Sequence, residues 1–156
     1  MISKGKQFEE KFKECWKKTF PTSFIYRIPD QVTGYKTTSQ NPCDFICFTQ
    51  GKLFLVECKS HDGASISFTA IPQYERLLAY KDIKGVYPGI VIWFKEKDTV
   101  IWVPIKEAEK MVKDENKSIK LSMLKEDKYK IIVIPSTKKR VFMDSDYSSL
   151  IKEENL

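Results

Sequence analysis

Residues 42–59 read PCDFICFTQGKLFLVECK, and their reading decides the fold. Two apolar runs, Asp44 to Thr49 and Lys52 to Lys59, flank Gln50-Gly51. A pair of residues of this kind between alternating runs predicts a two-residue turn joining two antiparallel strands. Thr49 then faces Lys52, and stepping outward pairs Asp44 with Glu57. Directly opposed residues on such a pair have Cβ atoms about 5 Å apart. Period-two alternation also puts Leu55, Glu57 and Lys59 on one strand face. The hairpin thus gathers two carboxylates and an ammonium group into one patch.

Two like charges at that separation repel and need neutralising. A hard divalent cation does this well, because it takes carboxylate oxygens, a backbone carbonyl and waters. The Cys58 carbonyl, between Glu57 and Lys59, is the natural extra ligand. Such an ion lowers the pKa of bound water and stabilises charge on a phosphoryl group. Lys59 could then orient the attacking hydroxide or stabilise the developing phosphorane charge. The same pattern also fits two acids at the rim of a solvated hairpin with Lys59 as a surface partner. The apolar run Leu53 to Val56 favours a covered strand, and charges at the end of a covered strand need a reason.

The rest of the chain frames this hairpin. Ser3 is positioned to cap a helix running to about Lys18, with Phe8, Phe12, Cys15 and Trp16 on its apolar face. Phe24 to Ile28 reads as a short strand, and residues 30–42 as an exposed loop. After the hairpin come an extended piece, Ser65 to Phe68, and a helix over roughly Thr69 to Tyr80 with Pro72 in its first turn. Gly89 to Phe94 and Thr99 to Val103 are apolar strands, and Ile105 to about Val112 is helical. Tyr129 to Ile134 is a strand candidate and Arg140 to Met143 a weaker one. From Asp144 onward the sequence reads as a polar, marginal tail. The order predicts an α/β fold: a central mixed β-sheet flanked by helices, in a single domain over residues 1–156 with its core at about 3–135. No glycine-rich turn follows the first strand, which argues against a dinucleotide fold.

Composition sets the outer limits. The chain has 156 residues, 42% hydrophobic and 31% charged, a balance that argues against a largely disordered chain. With 27 Lys and Arg against 21 Asp and Glu, the net charge is +6, which suits an anionic partner without naming one. All but three of the bases (Arg27, Arg76, Arg140) are lysines, a composition suited to phosphate contacts more than to base reading. No apolar run reaches the length of a membrane helix, and the charged N-terminus lacks the apolar core of a signal peptide, so a cytoplasmic protein is expected. Cys43 and Cys47 are expected to share a strand face about 13 Å apart, too wide for one zinc. The cysteines therefore read as buried free thiols. Trp93 and Trp102, in apolar strands, read as core or dimer-interface residues. The run Lys138-Lys139-Arg140 fits either a solvated turn or a phosphate contact.

Pro42, Asp44, Glu57 and Lys59 match the signature of the PD-(D/E)XK nuclease superfamily, with twelve residues between Asp44 and Glu57. The chain more narrowly resembles the RecU-type Holliday-junction resolvases of Gram-positive bacteria and their phages. Gly5-x-x-Phe8-Glu9, the Asp44-Phe45 pair and Gln73 carry that resemblance, which covers roughly residues 3–105. It implies a restriction-endonuclease-like core and a Mg²⁺-dependent endonuclease, with Mn²⁺ able to substitute. Asp44, Glu57 and the Cys58 carbonyl would hold the metal and Lys59 would assist the nucleophile. Glu9, with Glu10 as its rival, would complete the acidic cluster, and Gln73 would support it from the second helix. The implied substrate is branched, four-way-junction DNA, cut by a homodimer. Lys4, Lys6, Tyr35, Lys36 and His61 are the DNA-contact candidates. Two other outcomes fit the same residues: a restriction- or repair-type nuclease, or an inactive DNA-binding protein of this fold. The chain also departs from the family. It is expected to be a shorter member without the family's basic N-terminal extension. The stretch corresponding to the family's junction-entering stalk, Pro29 to Pro42, is short, and Pro72 stands where a histidine often precedes the glutamine.

Overall fold

A computed structural model describes residues 3–30 and 41–156. Helix α1 spans Lys4–Thr19 and begins where expected, with the Ser3 hydroxyl accepting from the Lys6 amide at 3.2 Å. Lys17 and Lys18 fill its last turn, where the helix dipole favours cations. Then follow β1 (Phe24–Arg27), β2 (Phe45–Thr49), β3 (Lys52–His61) and β4 (Ser65–Ser67). Helix α2 spans Tyr74–Leu78, β5 Val86–Phe94, β6 Thr99–Pro104 and α3 Ile105–Lys113. The remaining strands are β7 (Ser118–Lys120), β8 (Ile132–Ile134), β9 (Ser136–Lys138) and β10 (Met143–Ser145).

Six strands form the central sheet in the order β1-β2-β3-β5-β6-β8. Only β3 and β5 run parallel, joined by a crossover through β4 and α2; the other pairs are antiparallel. This mixed sheet between helices is a restriction-endonuclease-like α/β core. The hairpin register is the expected one, with Thr49 opposite Lys52 and Phe45 opposite Val56. Gln50 and Gly51 both take positive φ, 51° and 78°, as a type I′ turn requires. Gly89 is demanded for another reason: a Cβ there would lie 2.5 Å from the Trp102 ring and 2.8 Å from the Val103 carbonyl oxygen.

Alternation along β3 divides the core. Phe54, Val56 and Cys58 face α1 and pack with Phe12, Trp16 and Phe45. Leu55 faces the other way and joins Ile90, Ile92, Ile101 and Val103 beneath α2 and α3. With both faces covered, the run Phe54 to Cys58 is buried throughout, Glu57 included at 1% exposure.

Four local expectations are corrected. The helix over Thr69 to Tyr80 shrinks to a 3-10 turn at Phe68–Ala70 and the short α2. The residue before a proline is driven from helical geometry, and Ile71 sits at φ −123°, ψ 71°. Cys43 and Cys47 do not share a strand face. Cys43 precedes β2 and packs on the α2/α3 side, whereas Cys47 packs on the α1 side. All four thiols are free and buried, and burial raises their pKa, that of Cys43 to about 12. Arg140 lies in the turn between β9 and β10 and not in a strand, with Lys138 paired to Asp98 at 3.1 Å. The tail after Asp144 is not marginal: Tyr147 and Leu150 are each 1% exposed, and the Tyr147 ring meets Phe12 edge-on at 5.1 Å.

Candidate active site

The antiparallel register carries Asp44 to a point just ahead of β2, beside the buried stretch of β3. The Asp44 amide donates to the Val56 carbonyl at 3.1 Å, and Asp44 Oδ2 accepts from the Cys58 amide at 2.9 Å. Asp44 is therefore clamped on both sides of Glu57. From α2, Arg76 Nη1 donates to the Asn41 carbonyl at 3.1 Å and tethers the chain just before Pro42.

Glu57 is the most perturbed acid of the cluster. Burial, then a hydrogen bond to Asp44 and that residue's negative charge, push its pKa up to about 10 against the opposing pull of Lys59. It is therefore protonated at neutral pH, and its Oε2 is buried with no hydrogen-bond partner among the described residues. Gln73 precedes α2 and likewise buries an unpartnered Oε1.

Glu9, and not Glu10, joins the cluster. Glu10 is exposed, whereas the Glu9 side chain is 15% exposed and held by a cation. That cation is Arg27, whose Nη2 donates to both Glu9 carboxylate oxygens at 3.2 Å and lies 3.7 Å from Asp44 Oδ1. Burial and the nearby Asp44 raise the pKa of Glu9, while Arg27 and Lys6 pull it down. Sequence reading missed Arg27. The signal was there in the alternation Phe24-Ile25-Tyr26-Arg27, which sets a charge at the end of a strand on the face turned toward α1. Its partners become visible only once β1 pairs with β2, Arg27 opposite Phe45.

The DNA-contact candidates fare differently. Lys6 reaches the cluster, 3.5 Å from Glu9 and 3.0 Å from Asp30. Lys4 instead lines a groove of about 640 Å³ on the flank of α1, with Phe8, Lys11, Trp93 and Phe142. His61 ends β3 outside the Glu9–Arg27–Asp44 contacts. Tyr35 and Lys36 lie outside the described residues.

Among the described residues, no three His, Cys, Asp or Glu side chains converge as a ready metal site. The donor set nevertheless fits a hard divalent cation. Asp44 and Glu57 stand side by side, and the orphaned Glu57 oxygen lacks the partner that buried polar atoms ordinarily have. The third acid, Glu9, is occupied by Arg27.

The fold is similar to that of Hjc, a Holliday junction resolvase of the archaeal hyperthermophile Archaeoglobus fulgidus. The TM-score is 0.55 at 18% sequence identity, over 76% of this chain and 89% of that one. No curated protein sequence matches the chain. The family model described as Recombination protein U matches residues 9–141, from Glu9 through every residue of the acid cluster. By that match, the chain belongs to the RecU family.

Proposed function

We propose that the protein is a metal-dependent endonuclease that resolves branched, four-way-junction DNA by hydrolysing phosphodiester bonds. The observation that carries this reading is the register that sets Asp44 beside a buried Glu57 whose Oε2 has no partner among the described residues. A structural acid pair with no further role is costly, because each buried unpaired oxygen loses its hydration.

Asp44, Glu57 and the Cys58 carbonyl are the residues that would hold Mg²⁺ or Mn²⁺. When bound, the ion supplies an acidified water and stabilisation of phosphoryl charge. Glu57 would have to give up its proton to serve as a ligand. Lys59, next along the same strand face, orients the attacking water and balances the negative charge that builds on phosphorus. Gln73 steadies the site from the α2 side with its buried amide. A new P–O bond forms to the water oxygen as that water gives up a proton to solvent, the ester P–O bond breaks, and the leaving oxygen takes a proton from solvent. Lysines supply most of the attraction to the DNA backbone, in keeping with the +6 net charge.

Two-fold symmetric substrates call for two sites related by a dyad, hence a homodimer. One exposed surface supports it. Phe24, Tyr26 and Phe48 are 56%, 48% and 46% exposed at the β1–β2 end of the sheet, on the face from which Ile46 packs against the α2/α3-side core. The Phe24 and Tyr26 rings stack at 6.4 Å. Tyr26→Lys with Phe48→Lys should leave a monomer by sedimentation if that face is the seam.

A labelled four-way junction, with linear duplex as control, tests the activity in Mg²⁺, Mn²⁺ and EDTA. Metal-dependent junction cleavage that Glu57→Ala abolishes is the expected result. Equal cutting of linear duplex would point to a restriction- or repair-type enzyme. Junction binding without cleavage in any metal would point to an inactive member of the fold.

A further inference from the structure

We propose that Arg27 is a positioning residue that stands in for the divalent ion, bridging Glu9 and Asp44 while the site is metal-free and withdrawing toward Asp30 and the DNA phosphate when an ion binds. The inference rests on the nuclease reading above. Arg27 ends β1, and its pairing opposite Phe45 sets the side chain on the face turned toward α1. Its Nη2 holds both Glu9 oxygens at 3.2 Å and approaches Asp44 Oδ1 to 3.7 Å, while Nη1 holds Asp30 Oδ1 at 3.2 Å and also bonds the Ile28 carbonyl. One guanidinium therefore links two acids of the cluster to an acid outside it.

The arrangement is suited to exchange. A guanidinium stays charged at every accessible pH, so a divalent ion entering between Asp44 and Glu57 meets a fixed positive charge beside one of its ligands. That opposition is relieved only if the guanidinium retreats. Asp30 offers the retreat, being 60% exposed and already bonded to Arg27 and Lys6. The planar fork that matches a carboxylate also matches a phosphate, so the freed guanidinium meets incoming DNA with its donors in place. Glu9, once released, becomes available to the ion or its waters.

Calorimetric titration of Mn²⁺ into the DNA-free full chain separates this role from a merely structural one. Arg27→Gln should bind Mn²⁺ about three- to ten-fold more tightly than wild type, because a competing charge is gone. At saturating Mn²⁺ it should cleave the junction at least about ten-fold more slowly. Arg27→Lys keeps the charge and loses the fork, so its Mn²⁺ affinity should stay within about two-fold of wild type while cleavage still slows. Unchanged or weaker Mn²⁺ binding by Arg27→Gln, or wild-type cleavage by it, overturns the proposal. Should Arg27→Gln fail to fold, the lysine variant decides: slowed cleavage supports the role and a wild-type rate refutes it. A wild-type chain that neither binds Mn²⁺ nor cleaves refutes the nuclease reading itself, a distinguishable result.

Discussion

At its closed end the β2–β3 hairpin turns through Gln50 and Gly51, two exposed residues in left-handed geometry, and Thr49 meets Lys52 across the ladder. At its open end the same ladder brings Asp44 against a fully covered Glu57. The closed end is satisfied locally and depends on little beyond its own backbone. The open end holds acids where burial disfavours their charge; Glu9 of α1 adds to the repulsion, and the cations Arg27, Lys6 and Lys59 offset it. One register thus fixes a relaxed turn and an electrostatically strained site, and the strain sits where the chemistry is expected.

The contrast breaks most sharply at Glu57. Glu57→Ala should lower junction cleavage by roughly a thousand-fold or more. Glu57→Gln should do the same while leaving the metal-free fold at least as stable as wild type at pH 8, read by thermal melting. A function–stability split of this kind has no counterpart at the turn.

Titration sharpens the comparison next. Glu57 ionises near 4.5 in the unfolded chain and near 10 when folded, so above pH 4.5 the folded state binds the extra proton. Its effect is nil below that value, and stability is lost as pH rises toward 10, by at most about 1.4 kcal/mol per unit. The metal-free wild type should therefore lose stability to denaturant between pH 5 and 9 relative to Glu57→Gln, which lacks this slope. Equal slopes would remove Glu57 as the titrating group.

Metal binding should expel that proton. Calorimetry of Mn²⁺ binding at pH 7 in buffers of different ionisation enthalpy should show about one proton released per ion, with affinity rising up to about ten-fold per pH unit. Binding that is blind to pH would mean that Glu57 is not a ligand.

The smallest effect belongs to the closed end. Gly51→Ala puts a side chain at φ 78° and should cost about 1 kcal/mol in denaturant melts, with cleavage per folded molecule unchanged.

Much of the site was legible in sequence because its information is local. A two-residue turn sets the register and the register pairs Asp44 with Glu57, whereas the family motif beside Phe8 favours Glu9 with Glu10 still its rival until the structure separates a half-buried Glu9 from an exposed Glu10. The length of α2 was misjudged because proline's effect on Ile71 outweighed a helical-looking composition. Tyr147 and Leu150 looked like tail residues because the surface they cover is built from α1 and the sheet, far away in the chain.

The sequence by itself determined the hairpin, its acids, the family resemblance and the sandwiched sheet, since alternation and turn chemistry act between near neighbours. The tertiary structure alone decided that Glu57 loses its water, that Arg27 bridges Glu9 and Asp44, and that Phe24, Tyr26 and Phe48 stay about half exposed. The first two outcomes depend on which distant elements come to lie against the hairpin, and the third on which do not; desolvation and ion pairing exist only where they do.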